Sequence, residues 1–143
     1  MGENLVIGLL TMAVCLAIQC TVVAILLDVL IILEKKGFIR LTVLWVSSVL
    51  VVVMLIMLAG NLLQMTLWAG LFFACNEFTD FGTAFYHSVV NFATLGYGDI
   101  VMSEKKRLLG ALEAANGVLM FGLTTGFLYT VLSGFMRRYY DGR

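Results

Sequence analysis

One short stretch of the chain combines residue types that can bind a bare cation through backbone oxygens. The stretch reads TLGYGD and consists of Thr94, Leu95, Gly96, Tyr97, Gly98 and Asp99. Because glycine reaches backbone angles closed to other residues, two glycines around a tyrosine can turn successive carbonyls to one side. Carbonyl oxygens that line an axis can replace the water around a dehydrated cation. The stretch therefore predicts a cation site, provided that a short helix precedes it and a membrane helix follows it.

The composition indicates an integral membrane protein. The chain is 62% hydrophobic, with a mean hydropathy of +1.02, whereas soluble domains are about 45–50% apolar. A formal net charge of +0 disfavours a nucleic-acid partner, which requires a basic face. Cys15, Cys20 and Cys75 have neither zinc-site spacing nor the number of a disulfide framework, although Cys75 could cross-link subunits. The acidic N-terminus and the length of the first apolar run argue against a cleaved signal peptide.

Three apolar runs are long enough to cross a membrane, which takes about 20 residues. They cover residues 5–33, 41–75 and 108–136. The second run is read as one long tilted helix whose end near Trp68 reaches the outer interface, a level that tryptophan favours. Residues 83–93 are too short to span and lead directly into the TLGYGD stretch. A half-helix followed by an extended segment predicts a re-entrant loop, because irregular backbone at membrane depth must be buried or line a pore.

The distribution of charges predicts the orientation. Residues 34–40 and the C-terminal arginines are basic and are therefore expected in the cytoplasm, which places the N-terminus outside. The cations of residues 105–107 oppose this rule, but they follow a stretch that must face the external solution. Asp28 is read as an interfacial partner of Lys35, Lys36 and Arg40, with a gating role as the alternative.

The order outer helix, pore helix, TLGYGD and inner helix resembles the pore module of tetrameric potassium channels, above all the small prokaryotic members. The resemblance covers residues 41–136, leaving residues 1–40 as an extra transmembrane helix with a cytoplasmic loop and residues 137–143 as a cytoplasmic tail. It implies an all-α membrane protein with three transmembrane helices, a re-entrant pore helix and a selectivity filter, assembled as a homotetramer in the prokaryotic cytoplasmic membrane. It implies no cofactor, only potassium ions in the filter. A closed ring of carbonyls also requires several copies of a chain that supplies one strand.

The resemblance assigns roles within the stretch. The carbonyls of residues 94–97 and the Thr94 hydroxyl would form the stacked potassium sites. Gly98 would permit the outward turn at the mouth, and Asp99 would brace the filter and add negative potential there. Two positions depart from the family pattern, since Leu95 replaces valine and Ala93 stands where many relatives have threonine.

The last apolar run carries the residues that the resemblance connects with gating. Gly117 aligns with the hinge glycine at which the inner helix bends. For Gly122 and Gly126 a helix-packing role is one open interpretation, because small residues let membrane helices approach closely. Four residues would then share one face that lines the cavity and the cytoplasmic route, and they are Val118, Phe121, Thr125 and Tyr129.

Two ionisable residues are predicted to support the filter. His87 lies on the pore helix where many relatives have an aromatic residue, so it either senses protons or simply bonds a neighbour. Glu113 lies one turn before Gly117, and a carboxylate inside the membrane is by default functional. It is expected to tie the inner helix to the filter scaffold, either by accepting hydrogen bonds or as a protonated acid. The alternative is a contact with Lys106 or Arg107, and the candidate partners on the pore helix are Tyr86, His87, Ser88 and Asn91.

Taken together, these residues predict a potassium-selective channel that conducts passively. The alternatives are a weakly selective cation channel, a potassium transporter subunit and a non-conducting membrane scaffold. An enzyme is not expected, because the single histidine, His87, lies in no nucleophile motif. No helix carries the spaced arginines of a voltage sensor.

Overall fold

The computed structural model describes residues 2–36 and 42–141, and all regular secondary structure in these ranges is helical. The helices are α1 (Gly2–Lys35), α2 (Val43–Ala74), α3 (Phe81–Phe92) and α4 (Arg107–Asp141). The three long helices contain 18-residue windows of mean hydropathy 2.7, 2.6 and 1.6, and each is long enough to cross a membrane. The predicted all-helical class and the three spanning helices are confirmed. Most of the first polar break, with Arg40, lies outside the described residues.

Contacts at both helix ends establish the directions of the long helices. Asn4 in the first turn of α1 donates to the backbone oxygen of Lys105, just before α4 begins. Glu34 at the other end of α1 forms an ion pair with Arg138, near the end of α4. Helices α1 and α4 therefore run in the same direction. Helix α2 runs the opposite way, because Trp45 near its start packs edge-on against Phe135 with ring centroids 6.1 Å apart.

Helix α1 docks along α2 and α4 through one narrow stripe. Its buried residues are spaced four or seven positions apart, as expected for one face of a helix, and they are Asn4, Gly8, Cys15, Gln19 and Leu26. At Gly8 an added Cβ would lie 2.4 Å from Leu112 Cδ1, so the glycine allows α4 to approach closely. Most of the remaining α1 surface is exposed and apolar, which suits a helix surrounded by lipid.

A buried pair of amides fixes α1 in the middle of the bundle. Gln64 Nε2 donates to Gln19 Oε1 at 2.7 Å, and both side chains are fully buried. Gln19 Nε2 in turn lies 3.5 Å from Thr124 Oγ1 on α4. Gly60 provides the space for this contact, because a Cβ there would lie 3.0 Å from Gln19 Oε1. Interhelical hydrogen bonds of this kind stabilise membrane helix pairs by about 0.6 kcal/mol on average.

Helix α3 is wedged between α2 and α4 at one end of the bundle. The apolar cluster around it includes Trp68, Phe72, Phe92, Leu109 and Met120, with Cys15 from α1. Trp68 is fully buried within this cluster. The docking of α1 and α3 covers the face of α2 that carries Trp68, so its side chain is packed inside the protein. That this end of α2 reaches the outer interface stays a prediction.

Candidate functional site

The short helix α3 begins at a strong N-terminal cap. The Asp80 carboxylate accepts hydrogen bonds from the backbone N–H groups of Gly82 at 2.7 Å and Thr83 at 2.9 Å, as well as from the Thr83 hydroxyl. These bonds satisfy N–H groups that a helix start leaves without partners. They also lower the pKa of Asp80 below its usual value of 3.8, with the Thr83 hydroxyl contributing most.

Beyond the end of α3, the sign of the backbone angle φ alternates from residue to residue, with positive values at every second position. Thr94, Gly96 and Gly98 have φ angles of +57°, +54° and +73°. In the described chain the other non-glycine residue with positive φ is Asn76, so Leu95 and Tyr97 keep the usual sign. A positive φ at a β-branched residue such as Thr94 is a strained conformation, and backbone strain of this kind clusters at functional sites.

The residues of this turn, 94–99, are called the GYG segment below. All six are exposed in the single chain, including Leu95 at 53% and Tyr97 at 67%. Two hydrogen bonds hold its start, since the Thr94 N–H donates to Asn91 O at 2.9 Å and the Leu95 N–H donates to Val90 O at 2.9 Å. The start of the segment is thus anchored on α3, and all six of its residues are exposed and free to contact other molecules.

The far end of the GYG segment is bound to the side of α3. The Tyr86 hydroxyl donates to Asp99 Oδ2 at 2.8 Å. This bond lowers the pKa of Asp99 below 3.8 and raises the pKa of Tyr86 above 10.0. The sequence analysis missed Tyr86 as the partner of Asp99. No sequence pattern pairs these two residues, which are 13 positions apart. They meet because the chain folds back along α3.

His87 supports the residue that follows the GYG segment. Its Nδ1 lies 3.2 Å from the Ile100 carbonyl oxygen, which can only accept, so Nδ1 carries the hydrogen. The ring packs against Phe72 and Phe78, with centroid distances of 5.6 Å and 5.0 Å. Burial among these rings lowers the pKa of His87 below 6.5, although the Ile100 carbonyl and the Asp99 charge oppose the shift. Nε2 is buried and has no partner among the described residues.

A second bridge holds the connection to α4. Glu77, in the α2–α3 connection, accepts from the Ser103 backbone N–H at 2.9 Å and from the Ser103 hydroxyl at 2.8 Å. The two connections on either side of α3 are therefore joined to each other. Sequence reasoning did not identify this pair, whose members are far apart in the chain.

On the opposite side of α3, Glu113 of α4 reaches a polar cluster in which Glu113 and Ser88 are fully buried and Asn91 is half-buried. Ser88 Oγ lies within hydrogen-bond distance of Glu113 Oε1, and Asn91 Nδ2 donates to Glu113 Oε2 at 2.7 Å. Of the partners considered in the sequence analysis, the structure thus brings Ser88 and Asn91 to Glu113. Lys106 instead donates to Asn4 Oδ1 at 3.1 Å.

Gly117 occupies the closest contact between α3 and α4. A Cβ at this position would lie 1.9 Å from the Phe92 carbonyl oxygen and 2.8 Å from its carbon. A side chain there is incompatible with the packing of the last residue of α3. Gly117 therefore has a packing reason to be glycine, and its role as a hinge stays a prediction.

One face of α4 remains exposed beyond this contact. The residues predicted to share it are all exposed in the single chain, and they are Val118, Phe121, Thr125 and Tyr129. Phe121 packs edge-on against Phe92 with a centroid distance of 5.8 Å, so the face begins beside the end of α3. Gly122 and Gly126 have open space at their Cβ positions. This face and the GYG segment are thus adjacent and both unpartnered within one chain.

Side-chain metal ligands do not explain the site. Within residues 2–36 and 42–141, no group of three His, Cys, Asp or Glu side chains is arranged to hold a metal ion. The GYG segment can offer a cation the oxygens of its backbone and of the Thr94 hydroxyl.

Comparison with known proteins identifies the family. No curated protein and no solved structure matches the chain. The profile of the family described as "Ion channel" matches residues 41–134, about two-thirds of the chain. The matched region contains α2, α3, the GYG segment and nearly all of α4. This match over about two-thirds of the chain shows that it belongs to the ion channel family, and its three candidate spanning helices make it a multi-pass membrane protein.

Proposed function

We propose that the chain is one subunit of a potassium-selective channel that conducts passively across the membrane. The observation that carries this proposal is the TLGYGD sequence in a backbone that is left-handed at Thr94, Gly96 and Gly98. In an ordinary strand, successive residues face opposite sides. A change of hand at every second residue favours carbonyls that face one side, as ion coordination by backbone oxygens requires.

In this proposal α3 is the re-entrant pore helix and residues 94–99 form the selectivity filter. The carbonyls of Thr94, Leu95, Gly96 and Tyr97 would coordinate potassium as cargo, with no resident cofactor. Gly98 would turn the chain outward, and Asp99, bonded to Tyr86, would keep a negative charge at the mouth. His87 and Glu113 would support the filter from behind.

The exposure of the GYG segment supports assembly into a ring. One strand can coordinate a cation from one side, so the remaining ligands must come from other copies of the chain. Cyclic homo-oligomers provide such equivalent positions around an axis. The resemblance to tetrameric channels makes four the expected number. The adjacent exposed face of α4 would line the inner cavity, with Val118, Phe121, Thr125 and Tyr129 along the route of the ion.

The orientation follows from the same proposal. The filter mouth faces the external solution, and Asn4 is bonded to Lys105 and Lys106 on the mouth side of the chain. The N-terminus would then be external and the C-terminus cytoplasmic, in the cytoplasmic membrane of a prokaryote. Residues 1–40 would form an additional helix beside the pore module of residues 41–136, and residues 137–143 a cytoplasmic tail.

Ion flux from purified protein in liposomes tests the proposal. We expect uptake driven by a potassium gradient, with little uptake when sodium replaces potassium on both sides of the bilayer. Comparable potassium and sodium flux would replace the proposal by a weakly selective cation channel. Transport that requires a second coupled ion would indicate a transporter subunit. Absence of any flux from a correctly assembled oligomer would contradict the proposal.

A further inference from the structure

The hydroxyl of Ser88 has two oxygen neighbours at hydrogen-bond distance. One is the backbone oxygen of Met65 on α2, at 2.7 Å. The other is Glu113 Oε1 on α4, at an even shorter distance. Ser88 and Glu113 are both fully buried. Two oxygens this close repel each other unless a hydrogen lies between them, so the cluster requires one hydrogen on each side of Ser88 Oγ.

Ser88 can supply one of these two hydrogens and no more. A serine hydroxyl has a single O–H donor, and a backbone carbonyl is only an acceptor. If Ser88 donates to Met65, the second hydrogen must come from Glu113. If Ser88 instead donates to Glu113, no hydrogen is left for the 2.7 Å contact with Met65 O. The first arrangement satisfies both contacts, and it requires a protonated carboxyl group.

The other carboxyl oxygen fits the same assignment. Asn91 Nδ2 lies 2.7 Å from Glu113 Oε2 and 2.7 Å from the Gly110 carbonyl oxygen. The amide has two hydrogens, so each contact receives one. Oε2 is then the carbonyl oxygen of the acid and Oε1 is its hydroxyl. Each of the four contacts then has one donor hydrogen and one acceptor oxygen.

The surroundings favour the neutral form for a second reason. The hydrogen-bond partners of Glu113 are the uncharged side chains of Ser88 and Asn91. An ionised carboxylate buried without a cation is very costly, and such groups take up a proton instead. Among the described residues, Cys15 on α1 also interacts with Glu113, and a thiol offers no positive charge. Met65 of α2 and Ser88 and Asn91 of α3 carry no positive charge either.

We propose that Glu113 is a neutral carboxylic acid whose proton bonds Ser88, so that one proton joins α4 to α3 and, through Ser88, to α2. The tie lies one turn before Gly117, where α4 touches the end of α3. Glu113 is thus a positioning residue: it holds the helix from which the GYG segment extends. The inference goes beyond ion conduction and does not depend on which ion passes.

Infrared difference spectroscopy on the protein in lipid tests the proposal without any flux measurement. At neutral pH the wild type should show the carbonyl stretching band of a protonated carboxylic acid, and Glu113→Gln should lack it. Glu104→Gln is the matched control, since Glu104 is exposed and should leave the band unchanged. Loss of a carboxylate band in Glu113→Gln, with no loss of an acid band, would overturn the proposal.

Conservative variants test the hydrogen bond itself. Glutamine has both an N–H donor and a carbonyl acceptor, so Glu113→Gln should melt close to the wild-type temperature at neutral pH. Raising the pH would ionise Glu113 and destabilise the wild type, so the melting temperature of Glu113→Gln should fall less than that of the wild type at alkaline pH. Ser88→Ala removes the acceptor of the proton, so the acid band should remain but shift in frequency. An acid band that is unmoved by Ser88→Ala would show that the proton does not bond Ser88.

Discussion

At the scale of single residues, the GYG segment depends on backbone angles that most side chains do not tolerate. Gly96 has a φ of +54°, and among the described residues no atom beyond its two chain neighbours lies within 4 Å of its Cβ position. An alanine there would therefore meet no clash inside the subunit. The penalty comes from the left-handed backbone, about 1–2 kcal/mol per residue, and in the proposed ring also from crowding near its axis.

We expect Gly96→Ala to abolish potassium flux while the subunit still folds. Liposome flux and the size of the oligomer in mild detergent are the two measurements. Gly70→Ala serves as the control, because Gly70 lies in α2 with open space around its Cβ position, and alanine is favoured in a helix. Normal selective flux in Gly96→Ala would argue that this segment is not the ion path.

His87 makes the stability of the protein sensitive to mild acid. Its pKa in the folded protein lies below 6.5 because of burial. A group with a lowered pKa contributes stability above its unfolded pKa, and that contribution is lost as the pH falls through the folded value. Protonation would also place a second N–H at Nε2, which has no partner among the described residues.

We therefore expect the melting temperature of the wild type to fall as the pH is lowered from about 6.5. His87→Asn should remove much of this fall, since asparagine can keep an N–H near the Ile100 carbonyl but does not titrate. The comparison requires melting curves of both proteins at several pH values. Identical pH profiles would show that His87 does not sense protons in this range. A matching profile of flux would extend the effect from stability to conduction.

At the scale of elements, the contact between α3 and α4 decides how the GYG segment is held. Helix α4 approaches α3 so closely that the Phe92 carbonyl oxygen occupies the space of a Cβ at Gly117. Phe92 ends α3, and Thr94 with its left-handed backbone follows two residues later. A displacement at Gly117 is thus transmitted directly to the start of the GYG segment.

We expect Gly117→Ala to destabilise the folded protein by about 1–3 kcal/mol, the usual cost of overpacking. Thermal unfolding in detergent measures this effect, and Gly122→Ala is the control because its Cβ position is open. A hinge role predicts a different result, in which Gly117→Ala keeps its stability and lowers only the open probability. The two readings can therefore be separated by measuring stability and flux on the same variant.

At the scale of the whole molecule, α1 is an integral part of the bundle. It contacts α4 near both of its ends, through Asn4 and Glu34, and contacts α2 through Gln19. Its contact with Thr124 lies beyond Gly117 along α4, whereas Asn4 lies before it. Helix α1 thus contacts α4, or the residues just before it, on both sides of Gly117, where α4 packs closely against α3.

We expect Gln19→Leu to destabilise the protein by about 1–3 kcal/mol, because it leaves the Gln64 amide buried without a partner. Gln64→Leu should cost less, since Gln19 keeps its contact with Thr124. The double variant should cost less than the sum of the two, because no amide is stranded. Cys20→Ala is the control, as Cys20 is exposed on α1. Additive single effects would mean that the two amides do not interact.

The sequence by itself determined the features that depend on local chemistry. Three apolar runs of spanning length predict three membrane helices, since burying a helix in lipid requires only continuous apolar residues. The TLGYGD sequence predicted an unusual backbone conformation, because only glycine adopts positive φ without an energetic penalty. The boundaries of α3 were predictable to within a few residues, although its capping residue Asp80 was not recognised.

The tertiary structure alone decided which distant side chains meet. The level of Trp68 in the membrane was predicted only from its position near one end of α2, and its burial follows from α1 and α3, which cover its face of α2. The bonds from Tyr86 to Asp99, Glu77 to Ser103 and Gln19 to Gln64 each join residues on different elements. The sequence raised Glu113 as an accepting or protonated partner of α3. Only the oxygen–oxygen distances around Ser88 favour the protonated form of Glu113. Those distances depend on how the helices pack, which the periodicity of a single helix does not contain.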